Sequence, residues 1–426
     1  MQKAGKYFLY LSVLSAVALI AGIILKEPVL YKSTALITAI SLAIGLGAVP
    51  SLKGYQYTAW IISAVVAGMI FPEAFTKWGP VNLRDKTLIL VIIQLVMFGM
   101  GTHMSLKDFN GLASTGKGVM VGLFCHFSIM PLMGLLLTKV FDFEPEIAAG
   151  IILIGSCSSG LASNVMVYFA KANLVLSVIV TAMATLVAPL LTPLLMKTLA
   201  GTLIEIKFVD MMMEIIKIVL VPIGAALLHD YLKRAGNTQR RKVDLLVLFS
   251  AAWILLVIFY LLKTVSQPEW RQSITLSAFF AGAVIAGWLY HQLYNRFPKL
   301  DKIMPLISMF GIIYFTTVTT AAGRENLMKV GVLLFIASVI HNAAGYFFGY
   351  WLSRLFGMDK NASRTIAFEV GLQNGGMASG IAGSMGKLGT VGLPAAVFSP
   401  WMNISGSLLA NYWRKRPVDQ KNGKDE

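Results

Sequence analysis

Glu369 is a carboxylate in an apolar segment long enough to cross a bilayer, and its surroundings read FEVGLQNGGMASG over 368 to 380. A charged side chain at mid-membrane is costly, so it is paired, protonated or bound to an ion. The glycines and the carboxamides of Gln373 and Asn374 are typical of a broken helix, whose free carbonyls bind cations and whose helix N-terminus attracts anions. The stretch therefore predicts a cation site, with a salt bridge from Glu369 to Arg364 as the alternative.

A second polar stretch, IGSCSSGLASNVMVYF at 154 to 169, lies about half the chain earlier and contains Ser163 and Asn164. Ser177 and Thr181 follow it four residues apart, so they share one helix face. Taken singly, each of these residues is equally well explained by helix packing or by a hydrogen bond to the preceding turn. Together they offer the hard oxygen ligands that suit sodium.

The elements that position these residues are membrane helices, because 57% of the 426 residues are hydrophobic and 13% are charged. The predicted fold class is an all-α polytopic membrane protein with about fourteen transmembrane helices of roughly 20 residues each. The predicted spans are 7 to 25, 33 to 50, 57 to 72, 87 to 104, 117 to 139, 148 to 170, 174 to 197, 211 to 232, 244 to 263, 274 to 295, 303 to 322, 328 to 353, 363 to 385 and 390 to 413.

Both polar stretches interrupt a predicted span, and one further span follows each of them. Seven spans per half is an odd number, so the second half enters the membrane in the opposite sense. Two such halves form an inverted repeat, which is typical of secondary transporters.

The formal net charge of +16 is concentrated in alternate connections between spans and in the tail at 414 to 426. The positive-inside rule therefore predicts a multi-pass protein of the cell membrane with both termini in the cytoplasm and a basic cytoplasmic tail. No basic, aromatic-rich soluble face is available for nucleic acid. Cys125 and Cys157 lie in apolar segments and predict no disulfide framework.

At these residues the chain resembles the bile acid:sodium symporter family. The matching segments are GLASNVMVYFAKANLVLSVIVTAMATLVAPLLTPLL at 160 to 195, FEVGLQNGGMASG at 368 to 380 and NISG at 403 to 406, with weaker matches at 97 to 109 and 126 to 131. The resemblance implies inverted repeats forming a core domain, with two crossing discontinuous helices, and a panel domain. The expected divisions are an additional N-terminal helix pair at 1 to 50, a first repeat at 57 to 197, and a second repeat at 211 to 413 that contains an additional pair at about 244 to 295.

The resemblance also implies the roles of individual residues. One sodium site is expected at Ser163, Asn164, Ser177, Thr181 and Glu369. A second is expected at Glu369, Gln373, His126 and the backbone carbonyls of Val370 and Leu372. Substrate contacts are expected from Asn374, Met402 and Asn403.

Two of these positions depart from the family pattern. His126 stands where the family usually has Gln. It is a hydrogen-bonded core residue, a neutral imidazole that binds the cation, or a titrating imidazole that replaces sodium with a proton. Met402 stands where carriers of bile acids often have His, so the substrate need not be a bile acid. The sequence therefore predicts one or two sodium ions.

The predicted function is cation-coupled symport of a small organic anion across the lipid bilayer, by alternating access between core and panel. A sodium/proton antiporter and a proton-coupled organic anion carrier stay open as alternatives, although antiporters usually rely on intramembrane aspartates and no predicted span has one at depth. An intramembrane hydrolase is disfavoured because Ser158 and Ser159 have no His or Asp nearby in sequence. The chain is thus predicted not to be an enzyme, and its oligomeric state is left open.

Overall fold

The computed structural model describes residues 2 to 49, 52 to 107 and 112 to 418. The ends of the predicted N-terminal pair, residues 108 and 109 of the weaker family match, and residues 419 to 426 of the predicted basic tail lie outside these ranges. The first eight helices are α1 (Gln2–Ile24), α2 (Pro28–Leu46), α3 (Gln56–Ile70), α4 (Lys86–Gly101), α5 (Leu112–Val140), α6 (Pro145–Ser156), α7 (Leu161–Phe169) and α8 (Leu174–Leu195).

The next ten helices complete the described chain. They are α9 (Phe208–Ile215), α10 (Val221–Arg234), α11 (Asn237–Leu256), α12 (Leu262–Thr264), α13 (Pro268–Arg296), α14 (Leu300–Ala322), α15 (Arg324–Leu355), α16 (Lys360–Gly371), α17 (Gly375–Ser384) and α18 (Leu393–Arg414). Three π-helical turns extend or join them, at Met196–Ala200, Ile216–Leu220 and Val257–Leu261.

Nine helical segments within the described ranges are long and apolar enough to cross a membrane, which confirms an integral, predominantly α-helical protein. The number fourteen stays a prediction, because α3, α4 and α6 are apolar but shorter. One connection contains a short β-hairpin, in which β1 (Lys77–Trp78) pairs antiparallel with β2 (Val81–Asn82). This exposed hairpin of two-residue strands leaves the all-α fold class unchanged, and Gly79 adopts the positive φ that its turn requires.

Two spans are interrupted at the predicted polar stretches, between α6 and α7 and between α16 and α17. The interruptions meet, and Ser159 and Gln373 form an isolated antiparallel bridge. The Gly160 amide donates to the Leu372 carbonyl at 3.1 Å, and the Asn374 amide donates to the Ser158 carbonyl at 2.9 Å. Each break thus satisfies backbone groups that the other break frees, as burial away from water requires.

Helices α5, α8 and α18 pack directly against the broken helices, and α15 packs along α16. Asn342 on α15 supports one break through its amide, which donates to the Gly371 carbonyl at 2.8 Å. Outside this group, α3 packs on α14, and α4 packs on both α10 and α14. The predicted additional pairs attach there: α2 lies on α3, and α13 lies on α10. The inverted repeats and the domain divisions stay predictions.

Candidate functional site

Glu369 is fully buried in α16, close to the break, and its carboxylate is held by hydroxyl groups. Ser177 Oγ donates to Oε1 at 2.5 Å, while Ser159 Oγ and Thr181 Oγ1 donate to Oε2 at 2.7 and 2.8 Å. These donors come from α8 and from the opposite break. The carboxylate is therefore the point at which three segments of the chain converge.

No cationic side chain pairs with Glu369 in the described part of the chain. Arg364, the partner in the alternative prediction, donates instead to the Arg416 carbonyl at 2.8 Å and lies over the Trp413 ring. The salt-bridge interpretation is therefore wrong. A buried carboxylate without a cationic partner requires a proton or a bound cation.

The oxygen atoms around Glu369 extend to Asn164 and Ser163. Asn164 Oδ1 lies 2.7 Å from Ser177 Oγ and 3.3 Å from Thr181 Oγ1. Ser163 Oγ donates to the Gly160 carbonyl at 2.8 Å and lies 3.3 Å from Thr181 Oγ1. The structure thus brings together all five residues of the first predicted sodium site.

This cluster has more acceptor positions than hydrogens to fill them. The hydroxyls of Ser177 and Thr181 each lie within hydrogen-bond distance of both Asn164 and Glu369, but each carries one hydrogen. The unfilled lone pairs, together with the single negative charge, are the donor set that a hard monovalent cation takes. The residues present therefore fit sodium by their chemistry.

Ser159 is the contact that the sequence prediction missed, since it was considered only as a nucleophile. It lies inside the break, directly before Gly160, and the bridge to Gln373 holds its backbone. Its position in the sequence could have predicted this contact, because a hydroxyl in the break of one helix lies close to the break of the helix that crosses it.

The residues of the second predicted sodium site also lie together, although most are already hydrogen-bonded within the protein. Gln373 Nε2 donates to the Val370 carbonyl at 2.7 Å, and the Leu372 carbonyl accepts from Gly160. Gln373 Oε1 is buried and has no hydrogen-bond partner among the described residues. One side-chain oxygen is thus free at this position.

His126 on α5 is fully buried and bridges the two broken helices. Its Nδ1 lies 2.9 Å from the Glu369 carbonyl oxygen, and its Nε2 lies 2.7 Å from the Cys157 carbonyl oxygen. A neutral imidazole has one N–H and donates to only one of them. An imidazolium would donate to both carbonyl oxygens. In either form the ring contacts Glu369 through its main chain.

Asn374 lies at the other side of the break, where α17 begins. Its Oδ1 accepts from the Met377 amide at 2.9 Å and caps the helix, whereas its buried Nδ2 has no partner among the described residues. The N-termini of α7 and α17 meet here, and each carries a partial positive charge. An unpaired donor between two helix N-termini is suited to an anion.

The remaining predicted substrate residues, Met402 and Asn403, are buried on α18. Asn403 Nδ2 donates to the Ser399 carbonyl of its own helix at 2.8 Å. Ser399 lies against Gly375, so close that a Cβ at Gly375 would collide with its hydroxyl. Asn403 is thus one turn along α18 from Ser399, which contacts the start of α17. Its role in binding stays a prediction.

Comparison with known proteins gives consistent similarities. The sequence model described as Sodium Bile acid symporter family matches residues 89 to 266. The uncharacterized sodium-dependent transporter YocS of Bacillus subtilis (strain 168) is 31% identical over 372 residues, which is 87% of this chain and 94% of that protein. The probable sodium/metabolite cotransporter BASS1, chloroplastic, of Arabidopsis thaliana is 28% identical over 85% of this chain and 74% of its own length. The ileal sodium/bile acid cotransporter of Homo sapiens is 28% identical over 70% of this chain and 69% of its own length.

Proposed function

The chain belongs to the sodium bile acid symporter family, and on that premise we propose that it couples the movement of sodium to the transport of a small organic anion. It is a membrane transporter and not an enzyme. Its relatives include a sodium-dependent transporter and sodium cotransporters of metabolites and bile acids, which supports sodium-coupled symport in general.

The observation that carries the proposal is the fully buried Glu369 carboxylate, surrounded by side-chain oxygens and without a cationic partner in the described chain. We assign sodium to this cluster, with ligands from Ser163, Asn164, Ser177, Thr181 and Glu369. Sodium there would neutralise the charge and tie α7, α8 and α16 together. The same ion would thus fix the geometry of both breaks.

We propose that one sodium ion binds, because the contacts of His126 leave no second sodium ligand at its position. Both of its ring nitrogens already face carbonyl oxygens of the broken helices. An imidazole also offers no oxygen to sodium, a cation that prefers oxygen ligands. The second predicted position is therefore proposed to be filled by the ring.

The anion is proposed to bind beside Asn374, at the N-termini of α7 and α17. Two like unit charges about 8 Å apart repel by about 2 kcal/mol at an effective dielectric constant of about 20, so an uncompensated Glu369 would weaken anion binding by an amount of this order. Neutralisation by sodium would remove that cost and raise the affinity for the anion roughly 30-fold. Sodium binding and anion binding are thus coupled through charge. In the proposed cycle the loaded sites open alternately to the two sides of the membrane, and both termini lie in the cytoplasm.

The test uses purified protein in two stages. Thermal stability is first measured with a panel of monocarboxylates, dicarboxylates, keto acids and bile acids, each in sodium and in potassium buffer. Anions that stabilise only in sodium are then tested for uptake into proteoliposomes under an imposed sodium gradient. Sodium-driven uptake supports the proposal, whereas uptake that follows an imposed pH gradient and ignores sodium overturns it.

A further inference from the structure

A cavity of about 660 Å³ lies between α4, α10 and the additional helix pair formed by α11 to α13. Its walls are almost entirely apolar, and the polar side chains among them are Gln94, Thr275 and Tyr290. The volume is in the range that holds a ligand. The proposed sodium and anion sites do not use it.

The cavity lies on the side of α4 that faces away from the broken helices. Ile89 and Ile93 of α4 lie against Gly383 and Gly380 of α17. Val91 and Leu95, which line the cavity, project from the opposite side of the same helix. Helix α4 therefore lies between the cavity and the broken helix α17.

The mouth of the cavity opens onto surface that a membrane would cover. Val91, Leu95 and Ile258 line it and are nonetheless 48%, 46% and 50% exposed. The segment Asn237–Thr264, which contains α11, has the smallest buried share of the nine described membrane-spanning segments. Exposed apolar side chains on such a helix face lipid.

The additional pair is attached mainly through α13, which leaves a gap between α11 and α4. Gly287 of α13 lies so close to Ala225 of α10 that a Cβ there would collide with the Ala225 carbonyl. An apolar gap of this kind excludes water, and an empty gap loses the dispersion contacts of its walls. Acyl chains are the apolar molecules available at this depth.

Basic side chains mark one end of the cavity. Lys217 Nζ lies 5.8 Å from the ring centroid of Phe279, which lines the cavity, and is paired with Glu214, so Lys263 is the lysine left to meet a phosphate there. Lys263 is exposed and follows Leu262, another lining residue, and the exposed Trp270 begins the next helix as an interfacial anchor. We propose that the cavity binds one acyl chain of an anionic membrane phospholipid, whose phosphate lies near Lys263.

Glycines allow a matched test of this site. A Cβ at Gly282, which lines the cavity, or at Gly224, on the exposed side of α10, would meet no atom within 4 Å. Gly282→Leu therefore fills the cavity, and Gly224→Leu adds the same side chain to open surface. Both replace a helical glycine with a better helix former, so both variants are expected to fold.

The experiment delipidates the purified full chain and titrates it with palmitoyl-oleoyl phosphatidylglycerol, counting bound lipids by native mass spectrometry. The expected result is one fewer tightly bound phospholipid for Gly282→Leu than for the wild type and Gly224→Leu. Lys263→Gln is expected to weaken that binding at least threefold. Equal lipid counts and half-saturation for Gly282→Leu and the wild type overturn the proposal. Saturation by oleate in place of phospholipid overturns the assignment to a phospholipid.

Discussion

Ser159 and Gln373 pair through their backbones at the point where the two interrupted helices meet. From this position the Ser159 hydroxyl donates to Glu369 Oε2 at 2.7 Å, across the junction. The bridge therefore also fixes the position of a hydroxyl that donates to the carboxylate of the proposed sodium site. Sodium binding and the geometry of the breaks are expected to change together.

Replacement of Ser159 by Ala removes one hydrogen bond to a buried carboxylate. Hydrogen bonds to charged groups contribute about 1.5–3 kcal/mol, so the ionised carboxylate that binds sodium is destabilised relative to its protonated form, and sodium affinity is expected to fall about tenfold or more. The control is Ser158→Ala, since the Ser158 hydroxyl lies near Met377 and Thr185 instead. Sodium-dependent thermal stabilisation measures both variants, and an equal loss in the two would refute a specific role for Ser159.

Replacement of Gly160 by Ala tests the junction itself. A Cβ at Gly160 would lie 3.0 Å from the Gln373 carbonyl oxygen, so the two breaks must move apart. We expect weaker sodium binding, although the substitution removes no oxygen ligand. Gly116→Ala is the control, because a Cβ there meets nothing within 4 Å. Equilibrium binding of radioactive sodium is the readout, and wild-type affinity in Gly160→Ala would contradict the link between junction and site.

Replacement of His126 by Gln exchanges the bridging ring for a side chain with an oxygen atom. The wild type is expected to show a Hill coefficient near one for sodium, and His126→Gln a value approaching two. His341→Gln serves as control, because His341 is also fully buried and its Nε2 contacts the Met130 carbonyl. Sodium dependence of uptake gives the coefficient, and a value near two in the wild type would remove the single-ion proposal.

Replacement of Asn374 by Asp keeps the acceptor that caps α17 but replaces the unpaired amide with negative charge. Anion affinity is expected to fall at least tenfold through repulsion, while sodium still binds when no substrate is present. Asn82→Asp is the matched control, because Asn82 Oδ1 also accepts a backbone amide, in an exposed turn. Substrate-dependent stabilisation in sodium buffer compares them, and full retention in Asn374→Asp would exclude Asn374 from the anion site.

Much of the arrangement was predictable because the membrane limits what polar residues can do. A carboxylate, small hydroxyls and carboxamides within apolar spans are costly unless they are paired or bind an ion, which predicts polar sites at Glu369 and at 163 to 181. The family resemblance implies that the two polar stretches form one sodium site. The helices were predictable for a similar reason, because hydropathy determines where backbone groups must bond within their own segment.

The features that the sequence did not predict depend on contacts between distant segments. Ser159 becomes a partner of Glu369 only because Gln373 pairs with it across the junction. The bridging position of His126 depends on carbonyls that are freed by two separate helices. The β-hairpin at Lys77–Trp78 and Val81–Asn82 is too short to show an alternating pattern in sequence.

The central claim is that Glu369 holds the sodium ion, and equilibrium binding of radioactive sodium to purified protein tests it most directly. Glu369→Gln removes the charge with little change in shape, and Glu325→Gln makes the same change at an exposed position on α15. We expect saturable binding in the wild type and in Glu325→Gln, with none in a folded Glu369→Gln protein. Wild-type sodium binding by Glu369→Gln would contradict it.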